Sequence, residues 1–241
     1  MKTTIGAFAL VIALLLMPGI DTAFAQSARD LNTRGYRLYL KGEFPGALDY
    51  FRRAAAADPD YSLGRYNLAC TLGVLRKQGP EAVCRYDAYK SEILDHLDAA
   101  LRLDPGTREK MQLDPDLDSI RDTVRYLRLL GYSPADRQDV TAILIAVSWF
   151  GPASGAFGPA ATVDFREDGT LMLTLLDATG DEVKHTGFEG TYTVSSNRIT
   201  IILGRPIDGV NRFEGAMLPG GSVDVPGLPG PFNDDPHECE A

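Results

Sequence analysis

The chain has 241 residues, of which 44% are hydrophobic and 24% are charged, and its formal net charge is −9 at pH 7. Such proportions are typical of a globular protein, and the length suits one large or two small domains. Because acidic residues are in excess and no basic stripe or basic-aromatic patch occurs, the composition argues against a nucleic-acid partner.

The N-terminal residues have the three parts of a secretory signal peptide. Lys2 is followed by an apolar run at residues 5–17, and Ala23-Phe24-Ala25 supplies a small-x-small cleavage site. The run is shorter than the about 20 residues that span a bilayer, and Pro18-Gly19 ends it. We therefore expect cleavage after Ala25 and an exported protein, periplasmic or secreted, with no stable membrane anchor.

Residues 28–59 are predicted to form two amphipathic helices that are joined by a tight turn and end at Asp58-Pro59. Small residues stand where two helices must touch, and large apolar residues fill the space between them. The small positions are Gly35, Ala47 and Ala54, and the large ones are Leu31, Leu38, Leu48 and Phe51. The pattern starts again at Ser62, 34 positions after Ala28. A period of this length indicates a stacked helix-turn-helix repeat.

On these positions the first repeat resembles a tetratricopeptide repeat (TPR). The second repeat resembles the same family at Tyr66-Asn67-Leu68-Ala69, and again at Leu97, Ala100 and Pro105 after an insertion. One position departs from the family pattern, since Arg34 stands where a Leu is usual. The resemblance covers roughly residues 28–130 and implies an α-helical solenoid.

Further helices are predicted from apolar residues at helical spacing and from the Pro and Gly residues that separate them. Their predicted ranges are 62–76, 82–103 and 117–130. The last of these is similar to the capping helix that a solenoid needs at its end.

The TPR resemblance implies that a partner protein or peptide binds in a concave groove. Position by position, it assigns these groove-facing residues: Arg29, Asn32, Tyr36, Tyr39, Tyr66 and Cys70. Tyrosines suit such a surface because they combine a large contact area with a hydroxyl. The clamp by which some family members hold a C-terminal carboxylate is not expected, because Asn32 and Tyr36 occupy its first-repeat positions. The alternative is that the tyrosines pack against the insertion or the second domain.

The three cysteines are Cys70, Cys84 and Cys239. In an oxidising compartment two of them should pair. We predict a Cys70–Cys84 disulfide, which would pin the insertion to a repeat helix and stabilise the fold by roughly 3 kcal/mol. The alternative is that Cys70 is a buried free thiol that packs as a small hydrophobic side chain.

The pattern changes at Ser133-Pro134, after which β-rich runs alternate with turn signals. Asp168-Gly169 is a hairpin turn signal, and Ser196-Asn197 marks another short hairpin. The sequence predicts an antiparallel sheet that closes into a sandwich or a small barrel. The predicted strands occupy residues 142–150, 161–165, 170–176, 190–195, 198–203, 213–218 and 222–225.

This second part resembles, more weakly, the bacterial lipocalin-like small β-barrel domains. The likeness rests on Trp149, on Phe165-x-x-Asp168-Gly169-Thr170, on Gly190-x-Tyr192-x-Val194 and on Ile199-Thr200-Ile201. It implies a cavity for a small apolar ligand. The residues that could line it are Trp149, Phe165, Leu173, Tyr192 and Ile201. The alternative is that these side chains simply fill the barrel.

No motif for catalysis occurs, neither a Gly-x-Ser-x-Gly elbow nor a phosphate loop nor a dinucleotide fingerprint, and the three histidines are isolated. We expect a protein that is not an enzyme and has no metal or cofactor.

The sequence thus predicts an α+β multidomain protein with a TPR-like helical part at residues 26–135 and an antiparallel β domain at 136–225. An acidic, Pro/Gly-rich tail at 226–241 is predicted to be disordered or loosely packed. The leading hypothesis is an exported protein–protein interaction module, an adaptor or scaffold in the cell envelope. The alternative is a carrier of a small apolar ligand.

Overall fold

The structure, a computed structural model of the chain, describes residues 26–79, 88–154, 159–177 and 184–236. The predicted signal peptide, Cys84 and Cys239 lie outside these ranges, so export and the Cys70–Cys84 disulfide stay predictions. None of the helices in the described ranges is long and apolar enough to cross a membrane.

A helical part precedes a single antiparallel sheet, which confirms the predicted α+β order. The α-helices are α1 (Ala28–Tyr39), α2 (Phe44–Ala57), α3 (Ser62–Lys77), α4 (Lys90–Leu103), α5 (Thr107–Leu113), α6 (Val124–Leu129) and α7 (Arg137–Ala146). A 3-10 helix, Pro115–Ile120, lies between α5 and α6. The strands are β1 (Trp149–Phe150), β2 (Ala161–Phe165), β3 (Thr170–Asp177), β4 (Lys184–Ser195), β5 (Arg198–Ile207), β6 (Val210–Met217) and β7 (Val223–Asp224).

Helices α1 and α2 pack closely because a glycine stands at their contact. A Cβ on Gly35 would lie 2.9 Å from ring carbons of Phe51, so any larger residue would push the helices apart. Ala47 and Phe51 are fully buried at this contact. Ser27 caps the start of α1, because its hydroxyl accepts a hydrogen bond from the Asp30 backbone N–H at 3.1 Å. The predicted arrangement of small and large residues is confirmed here.

The predicted helix at 117–130 is wrong, because this stretch contains two short helices with a break between them. Asp114 accepts a hydrogen bond from the Asp116 backbone N–H, and with Pro115 it begins the 3-10 helix. Thr123 has an extended backbone, and its hydroxyl caps α6. The Thr123 cap thus divides an apolar pattern that is continuous in the sequence.

The predicted strand at 142–150 is also wrong, since most of it is the second half of α7. Asp136 caps this helix by accepting hydrogen bonds from the Gln138 and Asp139 backbone N–H groups at 2.8 and 3.2 Å. Val140 and Ile143 are fully buried on the face that packs against the sheet. A short apolar run does not by itself distinguish a buried helix from a strand. Here the Asp136 cap favours the helix.

The seven strands pair in chain order, each antiparallel to the next, and the sheet curls. Residues near the C-terminus connect its two edge strands. Phe150 in β1 and Asn233 exchange backbone hydrogen bonds of 2.8 and 2.9 Å, and Val223 in β7 and Phe232 exchange two of 2.8 Å. The bridging residues therefore satisfy backbone groups on both edges.

A hydrophobic core fills the inside of the curled sheet. It includes all five residues that the carrier hypothesis assigns to a cavity: Trp149, Phe165, Leu173, Tyr192 and Ile201. Trp149 is fully buried and donates its indole N–H to the Leu144 carbonyl oxygen at 3.0 Å. The rings of Phe165 and Tyr192 meet edge to face, 4.9 Å apart. These side chains pack against one another, as the filled-barrel alternative expects.

The prediction of a loose tail is wrong for residues 226–236, which belong to the β part. Phe232 is 1% exposed and lies in the core, and Val225, just before the tail, is equally buried. The buried Phe232 ring and the backbone hydrogen bonds of Phe232 and Asn233 hold this segment against the sheet. Residues 237–241 lie outside the described ranges.

Replacing Phe232 by Ala should lower the free energy of unfolding by about 3–5 kcal/mol, because the change opens a cavity in the core where the sheet edges meet. Urea unfolding measures this loss. The control is Val210→Ala on the exposed end of β6, where the expected change is within about 0.5 kcal/mol. A loss for Phe232→Ala as small as that of the control would show that residues 226–236 do not pack on the sheet.

Candidate functional site

The candidate site is a cavity between α1, α3 and the turn that begins the 3-10 helix. The last turns of α1 supply two tyrosines, and one face of α3 supplies a tyrosine, an asparagine and a cysteine. The turn, residues 114–116, supplies two aspartates, and we call it the acidic turn. The cavity, which we call the tyrosine cavity, has a volume of about 190 Å³. Its lining residues are Tyr36, Tyr39, Phe51, Tyr66, Asn67, Cys70, Asp114 and Asp116.

The acidic turn lies directly on α3 because a glycine leaves room for its backbone. A Cβ on Gly73 would lie 2.2 Å from the Asp116 carbonyl oxygen. One turn further along α3, the Lys77 ammonium group donates to the Pro115 carbonyl oxygen. Arg121 donates to the Asp114 carbonyl oxygen at 2.9 Å from the other side of the turn. The backbone of the turn is therefore held at three consecutive residues.

The side chains of the acidic turn accept hydrogen bonds from the helices. Tyr66 donates its hydroxyl to Asp114 Oδ2 at 2.7 Å, and the Cys70 thiol donates to the same oxygen at 3.4 Å. Tyr39 donates its hydroxyl to Asp116 Oδ2. Hydrogen bonds to a charged acceptor are stronger than those between neutral groups, so these contacts fix both carboxylates against the helices.

Burial favours the protonated forms of the two tyrosine hydroxyls and the cysteine thiol that line the cavity. It raises the pKa of Tyr66 above the ordinary value, and the hydrogen bond to Asp114 adds to the effect. It also raises the pKa of Tyr39, with a further contribution from the hydrogen bond to Asp116. The pKa of Cys70 lies well above its usual range because the thiol is buried beside Asp114. The two phenols and the thiol are therefore neutral donors at neutral pH.

The structure brings together some of the predicted groove residues and separates others. Tyr36, Tyr39 and Tyr66 share the tyrosine cavity, and Tyr36 is 48% exposed whereas Tyr66 is 7% exposed. Asn32 is buried and accepts a hydrogen bond from the Asn67 amide at 2.9 Å instead of lining the cavity.

Arg29 does not line the cavity either. Its guanidinium lies over the Tyr61 ring, 5.2 Å from the centroid. Besides Phe51 and Asn67 on the helices, two further lining residues were not predicted as site residues, Asp114 and Asp116. In the sequence they stand in a turn between two predicted helices, and nothing in the periodicity shows that this turn folds back onto α3. Gly73 was the available signal, because a glycine within a helix often marks a close backbone approach.

Cys70 has a free, buried thiol in the structure. Because its predicted partner Cys84 lies outside the described ranges, the disulfide is not tested. The atoms of Cys70, Asp114 and Asp116 that could bind a metal, the Sγ atom and a carboxylate oxygen of each aspartate, lie within 4.8 Å of one another. The three residues are therefore close enough to share a metal ion. Their hydrogen bonds to one another and to the tyrosines satisfy these groups without an ion.

A larger cavity, of about 460 Å³, lies between the helical part and the β part. Its lining residues are Lys90, Ser91, Leu94, Val124, Arg125, Arg128, Gly220 and Asp234. Three of its polar groups already hold structural contacts. Asp234 accepts from the Val124 backbone N–H at 2.9 Å, Arg125 pairs with Asp95, and Arg128 donates to the Gly220 carbonyl oxygen. The Asp234 and Arg128 contacts connect the two parts of the fold, and the Arg125 pair joins α6 to α4, so this cavity is the weaker candidate.

Comparison with known proteins adds no family: no protein-family model matches the chain, and no match was found among curated proteins. The tyrosine cavity is therefore the basis for inferring function.

Replacing Asp116 by Asn should change stability in a way that depends on pH. Burial is the main cause that raises the pKa of Asp116 in the folded state. Ionised Asp116 therefore costs stability above its folded-state pKa, and the cost disappears as the pH falls through that value. The variant should lose stability relative to the wild type as the pH is lowered from neutral to about pH 3. Urea unfolding across this range measures the difference.

The control is Asp118→Asn, two residues further along the chain. Hydrogen bonds from Arg121 and Lys77 lower the pKa of Asp118, so its contribution to stability is present at neutral pH and is lost on acidification. The stability of this variant relative to the wild type should therefore increase as the pH falls. The same sign for both variants would contradict the assigned environment of Asp116.

Proposed function

We propose that this protein is an exported protein–protein interaction module, an adaptor or scaffold whose TPR-like helical repeats bind an extended segment of a partner at the tyrosine cavity. The observation that carries the proposal is that Tyr36, Tyr39 and Tyr66, which the repeat pattern assigns to the groove, line one cavity. The absence of catalytic motifs in the sequence favours the same class of function.

The aromatic side chains supply a binding surface that is already ordered. The rings of Tyr36 and Tyr39 are nearly parallel, at an interplanar angle of 4° with centroids 6.2 Å apart. Phe44 meets Tyr39 edge to face from α2. Tyr36 is about half exposed, so its ring is available to a partner while its neighbours hold it in place. Tyrosine is enriched among the residues that dominate binding energies, and a surface that is ordered before binding loses less entropy when the partner binds.

The helices that carry these side chains are rigidly joined. Asn32 on α1 and Asn67 on α3 share a partly buried amide hydrogen bond, which fixes the relative position of the two helices. Helix α2 packs behind both. A groove built on rigid helices holds its contact residues more precisely than loops do.

The packing of the β part favours this proposal over the carrier hypothesis. The five side chains that would line an apolar ligand cavity form part of a filled core. A ligand would have to displace them, whereas the tyrosine cavity is open without rearrangement.

A phage-displayed library of random nonapeptides, selected on the protein, tests the proposal and requires no assumption about the identity of the partner. We expect selected peptides to bind and Tyr36→Ala to weaken their binding by about tenfold or more, because the ring is the exposed part of the cavity. Fluorescence anisotropy with labelled synthetic peptides measures the Kd. The matched control is Tyr50→Ala on α2, a tyrosine that contacts Arg53 and does not line the cavity. Failure to select any peptide, or equal effects of the two variants, would contradict the proposal.

A further inference from the structure

The tyrosine cavity has an unbalanced negative charge. Asp114 and Asp116 both line it, and none of its lining residues within the described ranges is basic. The two carboxylates are close enough that the charge of Asp114 contributes to the raised pKa of Asp116. A cation in the cavity would relieve this repulsion, whereas an anionic group would increase it.

The basic residues that contact the acidic turn do not line the cavity. Lys77 reduces the pKa shift of Asp116 through its charge, but its ammonium group binds the Pro115 carbonyl oxygen and the Asp118 carboxylate, the latter at 3.0 Å. Arg121 binds the backbone of the turn and the same Asp118. Their positive charges are directed to Asp118 and to carbonyl oxygens, so the two carboxylates in the cavity accept only from neutral donors in the contacts described above.

The remaining walls of the cavity are aromatic. The rings of Tyr36, Tyr39, Tyr66 and Phe51 surround the same space. The face of an aromatic ring attracts a cation, and the methylene stem of lysine or arginine packs well on such rings. Aromatic walls with carboxylates at one side therefore match both the stem and the charged end of a basic side chain.

The size of the cavity restricts the occupant further. Cavities that enclose a small-molecule ligand usually measure about 300–1,000 Å³, whereas this one measures about 190 Å³. The volume is therefore suited to one inserted side chain, with the rest of the ligand outside.

From this charge, lining and size we propose that the tyrosine cavity binds a lysine or arginine side chain of the partner peptide, an inference that rests on the proposed function. The basic group donates to the Asp114 and Asp116 carboxylates, and its stem lies against the tyrosine rings. The preferred partner segment is thus basic, the opposite of a ligand anchored through a carboxylate.

The test uses the selected nonapeptides and isosteric changes within them. In each peptide every lysine is replaced in turn by norleucine and every arginine by citrulline, which remove the charge and preserve the methylene stem of the side chain. We expect selected peptides to be enriched in basic residues and one replacement to weaken binding by tenfold or more. Because only the peptide changes, this arm does not depend on the folding of any variant.

Variants of the protein then show which carboxylates cause the preference for the charged peptide. In Asp116→Asn the amide oxygen can still accept from Tyr39 while the charge is lost, so the preference for the charged peptide should fall well below tenfold. Asp114→Asn removes the other charge and keeps one of the two acceptor contacts, to Tyr66 or to the Asp116 backbone N–H, and it should reduce the preference as well. Asp118→Asn removes the same charge from the adjoining 3-10 helix outside the cavity, and it should preserve the tenfold preference. Urea unfolding verifies that each variant is folded. Binding should also persist in EDTA, because loss of binding on chelation would show that the carboxylates hold a metal ion instead.

The outcomes separate the two proposals. If no peptide depends on Tyr36, the proposed function itself fails. If peptides depend on Tyr36 but bind equally well after loss of their basic group, the interaction module stands and the basic-side-chain inference is overturned. A preference that survives in both aspartate variants would overturn the inference as well.

Discussion

The hydrogen bonds that Tyr39 and Tyr66 donate to Asp116 and Asp114 hold together parts of the chain that are far apart in sequence. Tyr66 and Asp114 are 48 positions apart, and Tyr39 and Asp116 are 77 positions apart. Without them, two partly buried phenols and two carboxylates would have to lose water with no compensation. These bonds hold the acidic turn against α1 and α3, and the turn completes the cavity on which the functional proposal depends.

The same turn leads to the junction with the β part. After the 3-10 helix the chain enters α6, whose first residue, Val124, donates its backbone N–H to Asp234. Gly221, between β6 and β7, lies against Val124 so closely that a Cβ there would be 2.3 Å from a methyl carbon. Asp234 belongs to the segment that also supplies Phe232 to the core of the sheet. A continuous set of contacts therefore runs from the tyrosine cavity to the edge strands.

Local sequence patterns predicted the helices and strands well where residues close in sequence determine the conformation. Gly35 and Phe51 identify the contact of α1 with α2, and the predicted bounds of β2 agree with the structure. Prediction failed where a distant residue decides the conformation. The pattern of apolar residues did not separate α7 from a strand, because the Asp136 cap precedes the run. Phe232 and the acidic turn were missed for a different reason: each is ordered by surfaces formed far away in the sequence, and no period connects them.

The central claim is that the acidic turn is bound to α1 and α3 through its carboxylates, and a double-mutant cycle between Tyr66→Phe and Asp114→Ala measures the α3 contact directly. The first change removes the donor and the second removes the acceptor, so the coupling between them isolates the hydrogen bond. Our account predicts a favourable coupling of about 1–3 kcal/mol in the free energy of unfolding, the range for a hydrogen bond to a charged group. Effects that simply add, with no coupling, would show that the turn does not lie on α3 and that the tyrosine cavity is not formed.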